Sequence, residues 1–199
     1  MPKKIFGILA VVVMIGLAGC TTALKESWLD PSVTSELHFK KVVVAVLSPN
    51  VTVRRTAEDA LVAQIKRTEA VPSYSLFSES EMKDRDRVKA RLLEAGIDGA
   101  VVMRLIGVNQ QTTWVPGNYP PSYYNMSGYW GYANTAVYDP GYLRTDTIAQ
   151  METNIYSVAD EKLIYAARSE TFNPGDAVTL VNEIAEAVAA DLKKRGVLK

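Results

Sequence analysis

The residue types that carry most enzyme chemistry are scarce in this chain. Of its 199 residues, one is cysteine, Cys20, and one is histidine, His38. A catalytic serine or cysteine needs a neighbouring base, and zinc or copper sites are built largely from cysteine and histidine. With one residue of each type, the sequence predicts neither a nucleophilic pair nor a transition-metal site. We therefore expect a protein that is not an enzyme and that uses no cofactor and no metal.

Carboxylates are the remaining source of acid–base chemistry. Glu58 and Asp59 are adjacent, and adjacent positions of a helix point about 100° apart, so we interpret them as solvating one helix face. Carboxylates from distant segments could still form a glycosidase-like pair. The alternative to a non-enzymatic protein is thus an envelope hydrolase that acts on a wall or lipid substrate.

Cys20 follows a segment that is typical of an export signal. Lys3 and Lys4 precede an apolar run over residues 5–19, which is shorter than the about 20 residues of a membrane-spanning helix. The run ends in the letters LAGC, an order that resembles the lipobox of bacterial lipoproteins. The resemblance implies that residues 1–19 are a signal peptide and that Cys20 is the lipid-attachment site, with its acyl chains in a membrane.

The residue after Cys20 and the net charge bear on location and partners. In lipoproteins of enteric bacteria an aspartate there is the familiar inner-membrane retention signal, so Thr21 favours the outer membrane, with the protein facing the periplasm. Removal of residues 1–19 leaves 22 − 2 = 20 basic and 22 acidic residues, a formal charge of −2. This balance offers no electrostatic attraction for nucleic acid. We expect a membrane partner through the acyl chains and no nucleic-acid partner.

An aromatic segment is the second feature that could carry a function. Residues 114–142 hold seven of the ten tyrosines and two of the three tryptophans, and Asp139 is their only charged residue. Tyrosine and tryptophan give a large contact area with few rotatable bonds, which suits a binding surface for an envelope protein or peptidoglycan. The rings predicted to bind the partner are Trp114, Tyr119, Tyr123, Tyr124, Tyr129, Trp130, Tyr132, Tyr138 and Tyr142.

Two other interpretations of residues 114–142 stay open. The rings could fold back and seal an edge of the sheet, or they could support self-association or contact with lipid headgroups. The segment is far longer than a normal hairpin loop, and loops of that length are usually functional or disordered.

The rest of the chain predicts a single α/β domain over residues 40–199. Three strands and two helices alternate as βαβαβ, which implies a parallel core; the strands are expected at 42–47, 72–77 and 99–108, and the helices at 56–70 and 84–95. Residues 146–158 and 161–172 predict an antiparallel hairpin, and a C-terminal helix follows Pro174. We expect a mixed sheet of about five strands with helices packed against it.

The segment before this domain, residues 20–39, shows no sustained period. It predicts a lipidated N-terminus followed by a flexible tether of about 20–25 Å. Within it, the pattern SW-DP contains Trp28, which we interpret as an aromatic ring that covers an edge of the sheet.

Together these segments resemble a group of small bacterial outer-membrane lipoproteins. The resemblance is carried by the letters RRTAEDAL, VPSYSLF, GIDGAVVMRL, METNIYSV and SETFNP, in addition to SW-DP and the aromatic segment. It spans nearly the whole chain after Cys20, and it implies an envelope location but no particular activity. At the coarser level of βαβαβ plus a hairpin, the chain is similar to periplasmic α/β modules of envelope lipoproteins, and a fold alone does not give a function.

Overall fold

The structure, a computed structural model, describes residues 21–117, 126–127, 130 and 140–199. The strands are β1 (Thr21–Leu29), β2 (Lys41–Leu47), β3 (Glu69–Pro72), β4 (Gly99–Val115), β5 (Tyr142–Ser157) and β6 (Lys162–Phe172). The helices are α1 (Val51–Gln64), α2 (Ser73–Leu76), α3 (Arg85–Glu94) and α4 (Ala177–Lys194), with a 3₁₀ turn at Glu81–Lys83. The predicted mixed α/β fold with a C-terminal helix is confirmed.

The six strands of the described residues form one open sheet in the order β1-β6-β5-β4-β2-β3. The pairs β3–β2 and β2–β4 are parallel, and the pairs β4–β5, β5–β6 and β6–β1 are antiparallel. Parallel neighbours need a crossover, which α1 and α3 provide, whereas β5 and β6 are joined by a short turn. The predicted parallel core and antiparallel hairpin are therefore both present in one sheet.

Helices pack on both faces of the parallel half of the sheet. On one face α1 and α4 cover a core that includes Val44, Met103 and Ile155. On the other face α3 covers a smaller cluster around Val43 and Ala100. Because β2 is covered on both faces, its run of valines is almost continuously buried, which is the pattern of an interior parallel strand.

The predicted tether is wrong for residues 21–29, which form β1 at one edge of the sheet. β1 pairs with β6 from Thr21–Phe172 to Leu29–Tyr165, with a register shift between Leu24 and Glu26. This bulge adds one residue and so breaks the alternation of inward and outward side chains. The period is therefore missing from the sequence although the strand is regular on each side of the bulge.

Side-chain contacts hold β1 against the helix layer. The Thr22 hydroxyl hydrogen-bonds Glu183 of α4 at 2.7 Å. Farther along, Arg195 donates to the Ser27 hydroxyl at 2.6 Å and to Asp191 at 2.9 Å. The hydroxyl of Tyr165, a fully buried residue of β6, donates to the same Asp191 carboxylate at 2.9 Å, and burial raises the pKa of Tyr165. These contacts fix residues 21–29 as part of the domain.

The segment between β1 and β2 is also packed, because Asp30 is a buried anchor. Its carboxylate accepts from the Lys162 ammonium at 2.6 Å and from the Ser32 hydroxyl and amide at 2.7 Å each. The bond from Lys162 and then those from Ser32 lower the pKa of Asp30 to about 2. Trp28, predicted to cover an edge of the sheet, lies on β1, the edge strand, with 44 % of its surface exposed.

Two predicted boundaries are wrong for local reasons. The strand predicted at 72–77 overlaps the edge strand β3 only at Pro72, where β3 ends, and the short helix α2 follows it. Proline has no amide hydrogen to continue a ladder. The helix predicted from Thr56 begins at Val51, because the Asn50 side chain accepts from the Val53 amide at 3.1 Å and caps the helix.

Candidate functional site

The long hairpin of β4 and β5 continues past the rest of the sheet. β2 pairs with β4 only as far as Arg104, and β6 pairs with β5 only from Ile148 onward. We refer to residues 109–115 and 142–148, which pair with each other, as the ribbon. Six pairs beyond Ile148, each adding about 3.4 Å, make a two-stranded projection of about 20 Å. The aromatic segment begins on this projection.

Rings lie on both faces of the ribbon. Trp114 pairs with Leu143, and Val115 pairs with Tyr142; paired residues share a face and successive residues alternate, so Trp114 and Tyr142 point to opposite sides. Trp114 is 55 %, Tyr142 57 % and Leu143 66 % exposed. One face of the ribbon end therefore presents Trp114 and Leu143 to solvent, and the other presents Tyr142 beside the half-buried Val115.

Gly141 allows the ribbon to close at this end. Its φ of +77° lies in the left-handed region, and a Cβ atom there would lie 2.6 Å from the Val115 carbonyl oxygen and 2.8 Å from the Trp114 ring. Only glycine combines this conformation with such a close approach. The absence of a side chain at Gly141 thus leaves room for the Trp114 ring.

Asn173 fixes the other end of the ribbon. Its side-chain oxygen accepts from the Thr147 amide at 2.7 Å, and its own amide donates to the Thr147 carbonyl at 2.7 Å. Its side-chain nitrogen donates to Asp146 at 2.9 Å. This hydrogen bond and the positive charge of Arg144 lower the pKa of Asp146. Asn173 adopts a φ of +47°, so the chain turns away from the ribbon immediately after β6.

The structure describes three of the nine predicted binding rings. Trp130 is 67 % exposed, and Trp114 and Tyr142 are also exposed. The other six predicted rings lie outside the described residues, namely Tyr119, Tyr123, Tyr124, Tyr129, Tyr132 and Tyr138, as does Cys20. Sequence reasoning missed Leu143, whose signal is its position directly opposite Trp114 in the ladder.

The ribbon leaves the sheet at the end where β1 begins. Thr21 pairs with Phe172, Phe172 with Ile148, and Ile148 with Asn109, so one row of residues crosses the four antiparallel strands. The ribbon begins at Asn109 in that row. Thr21 is the residue that follows Cys20, and it therefore lies at the ribbon end of the sheet.

A second polar cluster lies at the carboxyl ends of β2 and β3. The prediction that Glu58 solvates a helix face is wrong, because Glu58 is fully buried. Its carboxylate accepts from the Val46 amide at 3.1 Å, the Ser73 hydroxyl at 2.7 Å and the Tyr74 amide at 3.2 Å. The Tyr74 amide is one of the unpaired donors at the start of α2, which Glu58 thereby caps. Both carboxylate oxygens are occupied, so Glu58 ties α1 to its neighbours.

In the part of the chain that the structure describes, no three His, Cys, Asp or Glu side chains lie close enough together to hold a metal ion. Nor is any described helix both long and apolar enough to cross a membrane.

The chain is similar in architecture to several solved structures. No protein-family model matches it, and no curated protein sequence matches it. The PelC L103M dodecamer from Paraburkholderia phytofirmans has a TM-score of 0.43 and 8 % identity, over 85 % of this chain and 96 % of that chain. A second PelC dodecamer crystal form from Paraburkholderia phytofirmans has a TM-score of 0.42 and 8 % identity, over 84 % and 95 %.

Another similar structure is the lipoprotein GNA1162 from Neisseria meningitidis, with a TM-score of 0.40 and 9 % identity, over 77 % of this chain and 98 % of that one. These resemblances concern the arrangement of strands and helices, and a fold alone does not give a function.

Proposed function

We propose that this protein is a lipid-anchored, non-enzymatic binding module of the bacterial cell envelope, whose ribbon binds a protein partner close to the membrane. The observation that supports the proposal best is the row from Thr21 to Asn109, because it places the start of the domain and the base of the ribbon at the same end of the sheet. Acyl chains on Cys20 would bring that end toward the membrane.

The chemistry of the ribbon supports a protein partner. Trp114, Tyr142 and Leu143 are exposed, and tryptophan and tyrosine are enriched where interfaces are strongest. Among the described residues, the edge of β4 that faces away from β5 has no partner strand beyond Arg104. A free strand edge of this kind can accept an extended segment of another protein by main-chain hydrogen bonds. No charged residue occurs between Arg104 and Asp139 to oppose such pairing.

The non-enzymatic part of the proposal is supported by the carboxylates. Glu58, the most deeply buried one among the described residues, uses both oxygens to hold structural donors. A turnover screen of the protein on wall and lipid substrates tests the hydrolase alternative, and hydrolysis that Glu58→Gln abolishes without unfolding would overturn this part.

The anchor is tested separately from the ribbon. Metabolic labelling with an alkyne fatty acid should label the full chain and leave a Cys20→Ser variant unlabelled and released from membranes. Separation of the two membranes on a density gradient should place the labelled protein in the outer membrane. An unlabelled full chain would contradict the lipid anchor but would not bear on the proposed binding role of the ribbon.

The ribbon is tested by photo-crosslinking in living cells. A photoreactive phenylalanine analogue replaces Trp114 or Tyr142, and the matched control replaces Trp28, which is exposed to a similar degree but lies on β1. We expect a discrete protein adduct from the two ribbon positions and none from position 28. Adducts to peptidoglycan alone would indicate a glycan partner, and the same adducts from all three positions would remove the ribbon as the binding surface.

A further inference from the structure

A cleft away from the ribbon lies between α1, α4 and the sheet. Its volume is about 340 Å³, within the range of about 300–1,000 Å³ that is usual for small-molecule sites. The interior is apolar, and its main lining residues are Leu61, Val101, Met103, Ile155, Val188 and Leu192. An occupant would therefore have to be largely hydrocarbon.

The mouth of this cleft is basic. Four exposed cationic side chains line it, which are those of Lys66, Arg67, Lys193 and Lys199. The carboxylate of Glu36 pairs with Lys199 at 2.8 Å and approaches Arg67 at 3.7 Å. Within the described part of the chain, no carboxylate lies within ion-pair distance of Lys66 or Lys193, so the mouth keeps an excess of positive charge that favours an anionic group.

The floor of the cleft contains a polar atom that the protein does not satisfy. Thr153 lines the cleft from β5, and its buried hydroxyl has no hydrogen-bond partner among the described residues. The hydroxyl lies beneath the floor and is inaccessible to solvent, so the surface that a ligand would meet there is apolar.

We propose that the cleft binds a medium-chain fatty acid, with its hydrocarbon chain on the apolar floor and its carboxylate between Lys66 and Lys193. At about 30 Å³ for each heavy atom of a liquid, 340 Å³ accommodates about eleven heavy atoms. A chain of ten to twelve carbons fits this volume when the carboxylate stays at the mouth. The basic mouth distinguishes this ligand from a neutral alcohol of the same length.

The ligand is a separate molecule and not the protein's own lipid anchor. Ile155 of the cleft pairs with Tyr165, and Tyr165 pairs with Leu29 at the far end of β1. Thr21 stands eight residues before Leu29, which corresponds to about 27 Å along the strand. The cleft therefore opens near the end of the sheet opposite to the ribbon, and the proposal does not depend on acylation of Cys20.

The test uses the full chain in phosphatidylcholine nanodiscs and a dodecanoic acid that carries a diazirine near its methyl end. After irradiation, peptide mapping should place the label in the part of α4 that lines the cleft. Unlabelled dodecanoate should compete with the probe at least about threefold better than dodecanol, because only the carboxylate gains from the cationic mouth. Label spread over the surface, or equal competition by dodecanol, would overturn the proposal.

Two pairs of variants make the test independent of folding. Ala189→Phe fills the cleft, whereas Ala190→Phe places the same ring on the exposed side of α4. We expect labelling to be at least about tenfold weaker in Ala189→Phe and to change by less than about twofold in Ala190→Phe. Lys193→Glu should weaken labelling roughly tenfold and Lys194→Glu little, since Lys194 lies outside the cleft. Equal labelling within either pair, in variants with unchanged circular dichroism, would exclude the cleft as the site.

Discussion

Replacement of Glu58 is the sharpest test of how α1 is joined to β2 and α2. Its carboxylate accepts from Val46, Ser73 and Tyr74, and the donors of Val46 and Ser73 are buried. An alanine leaves the Val46 amide without an acceptor and the Ser73 hydroxyl with only the Met82 sulfur, 4.0 Å away, at about 1–3 kcal/mol for each donor. We therefore expect Glu58→Ala to lower the free energy of unfolding by about 2–6 kcal/mol, a large share of the about 5–15 kcal/mol of a typical domain.

Glu58→Gln separates the hydrogen bonds from the packing. The side-chain amide oxygen can keep both hydrogen bonds that Oε1 makes, to Val46 and Ser73. The side-chain amide nitrogen replaces Oε2 and cannot accept the hydrogen bond from the Tyr74 amide. The loss should be smaller, about 1–3 kcal/mol.

Urea unfolding of residues 21–199, followed by circular dichroism, measures both variants, with Glu186→Ala on the exposed face of α4 as the control. A midpoint for Glu58→Ala that equals that of the control would refute the role assigned to this carboxylate.

Three further predictions concern the ribbon and the attachment of β1. The folded pKa of Asp30 is about 2 against an ordinary value of 3.8, so the stability that this carboxylate gives the fold is present above pH 4 and is lost as the pH falls toward 2. Asp30→Asn should therefore flatten the fall of the urea midpoint between pH 4 and pH 2. A urea midpoint that falls as steeply in the variant as in the unchanged protein would contradict this. Gly141→Ala should speed amide hydrogen exchange in the ribbon without lowering the melting temperature, because its Cβ atom would lie 2.6 Å from the Val115 carbonyl oxygen. The control is Gly175→Ala, because Gly175 has open space around it. Equal exchange rates in the ribbon of both variants would refute the close approach. Tyr165→Phe removes the donor to Asp191 and should cost about 0.5–1.5 kcal/mol of unfolding free energy in the same urea assay; no loss would mean that this bond does not help to hold the α4 layer.

The elements that could be predicted from the sequence are those with an unbroken pattern. The valine run of β2 and the stripe of α4 through Val181, Ile184 and Val188 have such patterns, and both are buried as expected. β1 was missed because the bulge at Lys25 shifts the alternation by one residue. A bulge depends on the partner strand, which a local pattern does not contain.

The exposure of the three described rings was predictable from the sequence, whereas their arrangement was not. The composition of residues 114–142 indicates an exposed aromatic surface, and Trp114, Trp130 and Tyr142 are exposed. The placement of Trp114 and Tyr142 on opposite faces follows from the β4–β5 register, which only the paired structure supplies. The burial of Glu58 was missed for a similar reason, since its three donors come from β2 and α2.

The pairing of β1 also decides how the domain responds to mechanical load. Tension applied at Thr21 and directed away from the sheet along β1 pulls the strand parallel to its own axis. Its eight residue pairs with β6 are then loaded in shear, all at once, and cannot open one after another as in a zipper. The edge strand that joins the domain to whatever precedes it is thus arranged to resist extraction.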